Sequence, residues 1–321
     1  MTATAMGSLT AGDGLRTADL TICSVTFGDR PLLELNRELT ERLNDVRPRW
    51  RLIRNSPVQE DDLTGRNEMP FEVLDGPELP DTERHSKTRT SYHHALGLAL
   101  ASSGLETRYL LYLDPDCYVV RRDWIRDVLE HMEREELAFF GVPYHPRSIS
   151  KYRYFPCAVC LVVDTQAVDV AQVDWTPEVP DSVRRTGLDR VLASYLAKRH
   201  KFRLEGDGSL DTGFRLYRRY AAVTRHECVQ PVVLREHLRR KLSPPRERVL
   251  EKVLPDRYCL LPKRRGYFTD EGLAAHGYAD TAALGCEEFM WRGEPFALHL
   301  RGAPELAGDL DAVREVLAQF T

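Results

Sequence analysis

A doubly wound, mostly parallel α/β sheet with a helical C-terminal extension is the fold class that this 321-residue sequence predicts. Two observations carry the prediction. Short apolar runs alternate with amphipathic helical stretches through the first two thirds of the chain, the pattern of strands covered by helices on both faces. Hydrophobic residues at 42% and charged residues at 29% are ordinary for a globular domain, and no repeat or low-complexity linker interrupts them.

The elements follow in order. Leu20–Thr26 reads as a first strand, broken by Gly28-Asp29-Arg30-Pro31 before a helix with Leu32, Leu35, Leu39 and Leu43 on one stripe. Trp50–Arg54 is a second strand, and Phe71–Leu74 is a short one beyond an acidic loop. A helix from about Ser86 to Ser103 ends at Gly104, and the apolar strand beginning at Tyr109 follows directly. Asp123–Glu135 is helical, Leu137–Val142 and Phe155–Val163 are strands, Arg185–Lys198 is a helix, and Lys201–Leu204 is a strand. The expected organisation is a frayed tail over 1–19, a main domain over 20–225, and a helical region over 226–321 broken by Pro244-Pro245 and Gly266.

Charge and cysteine content narrow the function. Forty-five Lys and Arg against 49 Asp and Glu give a formal charge of −4, which argues against a nucleic-acid partner. Positions 235–257 hold eight basic and four acidic residues, a segment that reads either as a solvated face or as a peripheral contact with an anionic membrane. No long apolar run and no leader-like start are found, so a cytoplasmic location is expected. Seven cysteines, an odd number largely within apolar runs, read as reduced buried thiols, Cys157-x-x-Cys160 included.

The most informative stretch is Tyr109-Leu-Leu-Tyr-Leu-Asp114-Pro115-Asp116. If the strand continued through it, Asp114 and Asp116 would project to the same side and share one divalent cation. Mg²⁺ and Mn²⁺ take oxygen ligands, typically one or two carboxylates together with substrate phosphates. Ligands in open α/β sheets gather at the carboxyl ends of strands, where this pair falls. The sequence alternative is a plain turn, since Asp and Pro are turn residues. Arg84, His85, Lys87 and Arg89 form a cationic cluster before the following helix, open to reading as diphosphate contacts or as a solvated helix start.

With these residues in place, the chain resembles nucleotide-sugar glycosyltransferases of the A-type, Rossmann-like fold, in the family-2-like group. Ser24-Val-Thr26-Phe27 before a helix, and His94-x-x-Gly97-x-Ala99-Leu100 leading to Leu111-Tyr112-Leu113-Asp114-Pro115-Asp116, carry the resemblance over about 20–206. It implies Mn²⁺ or Mg²⁺ held by Asp116, with Asp114 facing the metal or the donor ribose. Ser24, Thr26 and Asn55 would line the nucleotide pocket, although relatives often have an acid where Asn55 stands. Thr186-Gly187-Leu188-Asp189-x-x-Leu192 matches half of the family's Gly-Glu-Asp-x-x-Leu signature and implies Asp189 as general base, which would invert the anomeric centre. Asp211, in Gly208-Ser-Leu-Asp-Thr-Gly213, ranks second as base or as a ligand of the acceptor hydroxyl.

Ala297-Leu-His299-Leu-Arg301-Gly302 resembles the late segment that returns a histidine to the metal, with Arg301 near the phosphates. The implied partners are a nucleotide-sugar donor, UDP-linked before GDP- or dTDP-linked, and a glycan, lipid-linked or natural-product acceptor. The rival readings are a nucleotidyltransferase, against which the single glycine in Ser24–Pro31 speaks, an Asp-x-Asp phosphohydrolase, against which Tyr118 speaks, and a non-catalytic sugar-nucleotide or carbohydrate-binding module.

Overall fold

The computed structural model describes residues 16–27, 30–55, 71–77, 87–148, 151–177, 212–234, 256, 259, 261–300 and 309–321. Two sheets organise them. The first has seven strands in the order β3-β2-β1-β4-β7-β6-β8. These are β1 (Arg16–Thr26), β2 (Val46–Arg54), β3 (Phe71–Asp75), β4 (Tyr109–Leu113), β6 (Phe139–Pro143), β7 (Pro156–Asp164) and β8 (His226–Cys228). Only β7 runs against its neighbours, and the other pairings are parallel. The doubly wound, mostly parallel expectation therefore holds.

The central strands β4, β6 and β7 are buried throughout, which explains why they read as unbroken apolar runs. Helices α1 (Arg30–Leu43), α2 (Lys87–Ala101), α3 (Trp124–Arg134) and α4 (Phe214–Tyr220) belong to this layer. Of the stripe expected on α1, Leu35, Leu39 and Leu43 are buried and Leu32 is half-buried, and Leu33, outside that stripe, is buried as well.

The second sheet, in the order β5-β11-β10-β9, joins β5 (Cys117–Val119) to β9 (Gln230–Pro231), β10 (Glu287–Trp291) and β11 (Glu294–His299). The β10–β11 hairpin turns on Arg292 (φ 55°) and Gly293 (φ 79°), the left-handed pair that a tight two-residue connection requires. Between this sheet and the end of the chain lies a second apolar cluster. Leu35, Leu39 and Leu43 of α1 meet Tyr118, Leu298, Leu300 and the C-terminal α5 (Leu310–Leu317) there.

Three expectations differ from what is observed. Residues 16–19, expected in the tail, open β1, where Arg16 and Thr17 pair with Val46 and Arg47 of β2, a pairing between strands that local polarity does not signal. The expected division at 225/226 falls beside β8, which pairs with β6 in the first sheet. The described part of the C-terminal region contains the β10–β11 hairpin as well as the expected helix. The helix over 185–198, the strand over 201–204 and the basic segment, apart from Asp256, lie outside the described residues. No described helix is long and apolar enough to cross a membrane.

Candidate functional site

The order β2-β1-β4 places the reversal of connectivity between β1 and β4, and their carboxyl ends open a crevice where ligands collect in such sheets. The β1–β4 ladder runs to Cys23 and Tyr112. Beyond it the Ser24 hydroxyl donates to the Leu113 carbonyl at 2.7 Å, joining the two strand ends. The Asp114 amide then turns away to Val159 O of β7, 2.9 Å distant.

Asp114-Pro115-Asp116 is not the continued strand that the sequence suggested. The Cys117 amide donates to Asp114 O at 3.0 Å, closing a four-residue turn with Pro115 at its second position, where a fixed φ suits it. This turn is the hinge between the sheets, with β4 entering it and β5 leaving. Asn36 of α1 donates to Cys117 O at 2.7 Å and pins the exit. The Leu300 amide donates to Asp116 O at 3.0 Å, and Cys117 faces His299 in the β5–β11 register. The register thus brings a histidine from near the end of the sequence to the two aspartates.

Asp114, Asp116 and His299 each offer a ligand atom, all within 4.8 Å of one another. His299 Nε2 lies 3.5 Å from Asp116 Oδ1, and its Nδ1 is 2.8 Å from Glu287 Oε2. Glu287 faces His299 directly across the β10–β11 pair and receives Arg147 Nε on its other oxygen at 2.8 Å. His94 of α2 approaches the other aspartate, with Nε2 3.5 Å from Asp114 Oδ1.

Burial opposes charge on both members of the His299–Glu287 pair. For His299, the hydrogen bonds to Asp116 and Glu287 and their charges outweigh it, and its pKa is pushed up to about 10. For Glu287, the His299 hydrogen bond and the charges of His299, His145 and Arg147 outweigh burial and hold the carboxyl well below its ordinary range. His145 goes the other way, lowered chiefly by burial. Its Nε2 lies 2.8 Å from Val232 O and its Nδ1 accepts from the Arg147 amide at 3.3 Å, the pattern of a neutral ring.

This donor set fits a hard divalent cation. Two carboxylates and one imidazole converge, and the far nitrogen of the imidazole is fixed by a carboxylate, as is usual for histidines that bind metals. The positive charge on an imidazolium beside Asp116 is what such an ion would replace.

The other expected residues divide. Ser24, Thr26 and Asn55 stand at the ends of β1 and β2 but are buried, at 1%, 3% and 2% exposure. Asn55 donates its amide to His93 O at 2.8 Å, so it ties β2 to α2. At the same rim Phe27 is exposed and lies edge-on to His93 and His94. Lys87 opens α2, and nothing of its side chain is described. Asp189, Asp211, Arg84 and Arg301 lie outside the described residues. Thr212, which follows Asp211, donates to Ser91 O of α2 at 3.0 Å, one turn before His94.

Glu287, Arg147 and His94 were not singled out as site residues in the sequence. His94 stood inside a quoted motif without a role. The available signal for Glu287 was an acidic pair, Glu287-Glu288, leading the apolar Phe289-Met290-Trp291.

The chain is similar to solved structures of glycosyltransferases at low identity. One is the mannosyltransferase PcManGT from Pyrobaculum calidifontis in complex with GDP-Man and Mn²⁺, at 9% identity over 48% of this chain and 46% of that one, TM-score 0.34. Another is S. aureus TarS 1-349 in complex with UDP-GlcNAc, at 13% identity over 55% and 53%, TM-score 0.33. A third is the glycosyltransferase GlyE of Streptococcus pneumoniae TIGR4, at 15% identity over 66% and 45%, TM-score 0.33. The chain spans about half the length of these proteins. No family model and no curated protein matches it.

Proposed function

We propose that the protein is a metal-dependent glycosyltransferase that moves a sugar from a nucleoside diphosphate to an acceptor hydroxyl. The observation that carries this reading is the convergence of Asp114, Asp116 and His299 at the crevice where the sheet's connectivity reverses. Asp114, Asp116 and His299 would hold Mn²⁺ or Mg²⁺, which supplies electrostatic stabilisation to the departing diphosphate. Exposed Phe27 at the end of β1 would offer an apolar surface to a nucleobase, and His94, 3.5 Å from Asp114, would offer a donor to a phosphate oxygen. UDP is the first donor to try, with GDP and dTDP next.

Asp189 is the proposed proton acceptor for the sugar-accepting hydroxyl, and Asp211 is the second candidate. An in-line displacement assisted by either carboxylate inverts the anomeric centre. The remaining parts of the proposal are a glycan, lipid-linked or natural-product acceptor, a cytoplasmic location, and peripheral membrane contact through 235–257.

Donor hydrolysis and transfer measured with Mn²⁺ and with EDTA test the reading. Asp116→Ala is expected to lower turnover about 10²-fold or more, the usual cost of removing transition-state charge stabilisation. Asp189→Ala is expected to abolish transfer while leaving donor binding intact. Tight nucleotide-sugar binding without turnover by the wild-type chain would identify a binding module instead.

A further inference from the structure

Arg147, which is one third exposed, and the buried Glu287 and His299 form a chain of charged groups that ends at the Asp114–Asp116 turn. Glu287 and His299 side chains are 6% and 3% exposed, whereas those of Asp114 and Asp116 are 25% and 36% exposed. A buried ion pair is a poor source of stability, because desolvation consumes most of its attraction and apolar residues of similar volume often serve as well. The arrangement therefore calls for a role other than holding the sheet together.

Its geometry supplies one. Glu287 Oε2, 2.8 Å from His299 Nδ1, keeps a proton on that nitrogen, so Nε2, on the Asp116 side, is the nitrogen that would give up its proton and offer a lone pair to a cation. Glu287 cannot turn away, because Arg147 Nε holds its other oxygen at 2.8 Å. The same guanidinium donates to Gly285 O at 2.7 Å and clamps the approach to β10. The register fixes the rest, with Glu287 opposite His299 and His299 opposite Cys117, next to Asp116.

We propose that Glu287 is a positioning residue, locked by Arg147, that sets the tautomer and orientation of His299 for nitrogen ligation of a divalent cation at the Asp114–Asp116 turn. The inference rests on reading that turn as a cation site and is independent of which group is transferred. Because Glu287 acts only through the imidazole, its effect should be larger for Mn²⁺, which accepts nitrogen readily, than for Mg²⁺, which prefers oxygen and retains its waters.

The test measures Mn²⁺ binding to the full chain by electron paramagnetic resonance of the free ion, without donor, with Mg²⁺ affinity obtained by competition. Glu287→Gln is expected to weaken Mn²⁺ about 10- to 100-fold, the usual cost of losing such a partner, and to weaken Mg²⁺ less. Arg147→Met should act in the same direction to a smaller extent and serves as the second variant if Glu287→Gln melts early by circular dichroism. In a His299→Ala background, Glu287→Gln should change Mn²⁺ affinity by less than about twofold, because the path through the ring is already lost.

An undiminished Mn²⁺ affinity in folded Glu287→Gln, or an equal loss with and without His299, would overturn the proposal. Absence of Mn²⁺ binding by the wild-type chain would overturn both this inference and the metal site beneath it. Mn²⁺ binding that shows the expected pattern in a chain that transfers no sugar would sink the glycosyltransferase reading alone.

Discussion

Glu287 and Glu288 are neighbours with opposite duties, because a strand turns successive side chains to opposite faces. Glu287 faces His299, while Glu288 faces the apolar layer under α5 and is 2% exposed. Glu288 accepts from the Thr281 hydroxyl at 2.6 Å and from the Leu273 and Ala282 amides at 2.9 Å each. Gly272 leaves room for it, since a Cβ there would lie 2.5 Å from Glu288 Oε2. Glu288→Ala would strand these buried donors at about 1–3 kcal/mol each. The expected result is a loss of roughly 3 kcal/mol or more in urea unfolding, with Mn²⁺ affinity changed far less than by Glu287→Gln. A stability equal to wild type would show that those donors find other partners. The adjacent acids were visible in the sequence, but their division of labour was not, because it depends on what packs against each face of β10.

At the scale of elements, α2 carries His94 to Asp114 by lying unusually close to β1 and β2. A Cβ on Gly97 would come 2.8 Å from Val25 Cγ1 and 2.9 Å from Asn55 Nδ2. Alanine ordinarily favours a helix over glycine by about 1 kcal/mol. Here steric crowding against a buried strand residue outweighs that gain, at about 1–3 kcal/mol. Gly97→Ala is therefore expected to lower the melting temperature and, by pushing α2 outward, to loosen His94 from Asp114, seen as a change in the His94 imidazole resonances. An increase in stability would mean that the helix yields without strain.

Element positions within the first sheet were largely legible in the sequence. The apolar runs at 109–113 and 156–164 and the leucine spacing of α1 are local signals. Of the two readings open for 114–116, a continuing strand or a turn, the structure has the turn, although Cys117-Tyr118-Val119 is as apolar as the run before it. Only its pairing with β11 shows that it belongs to another sheet, and such a pairing leaves no local trace. Arg292-Gly293 supplies only the glycine of the Asn-Gly or Asp-Gly pair usual in such turns, so the β10–β11 hairpin is weakly signalled in the sequence.

On the scale of the whole molecule, the proposed site lies where the two sheets meet, so the residues proposed to hold a cation come from both. Asp114 and Asp116 follow a strand of the first, and His299 ends a strand of the second. The carboxylates that would hold a cation also repel a diphosphate, so a nucleotide should bind weakly without the cation, and each ligand should raise the other's affinity by the same factor. Manganese alone would meet up to three protein ligands, and a nucleotide alone would meet negative charge. Together they would neutralise one another. A saturating pair at about one hundred times its dissociation constant would stabilise the fold by about 2.7 kcal/mol, a rise of several degrees for a domain of ordinary size. In a thermal-shift comparison of UDP, GDP and dTDP, the preferred nucleotide with Mn²⁺ should raise the melting temperature by more than the sum of the two ligands measured separately. EDTA and Asp116→Ala should each abolish that excess. An equal nucleotide shift with and without EDTA would place the nucleotide away from the junction and remove the reason for two sheets to share this turn.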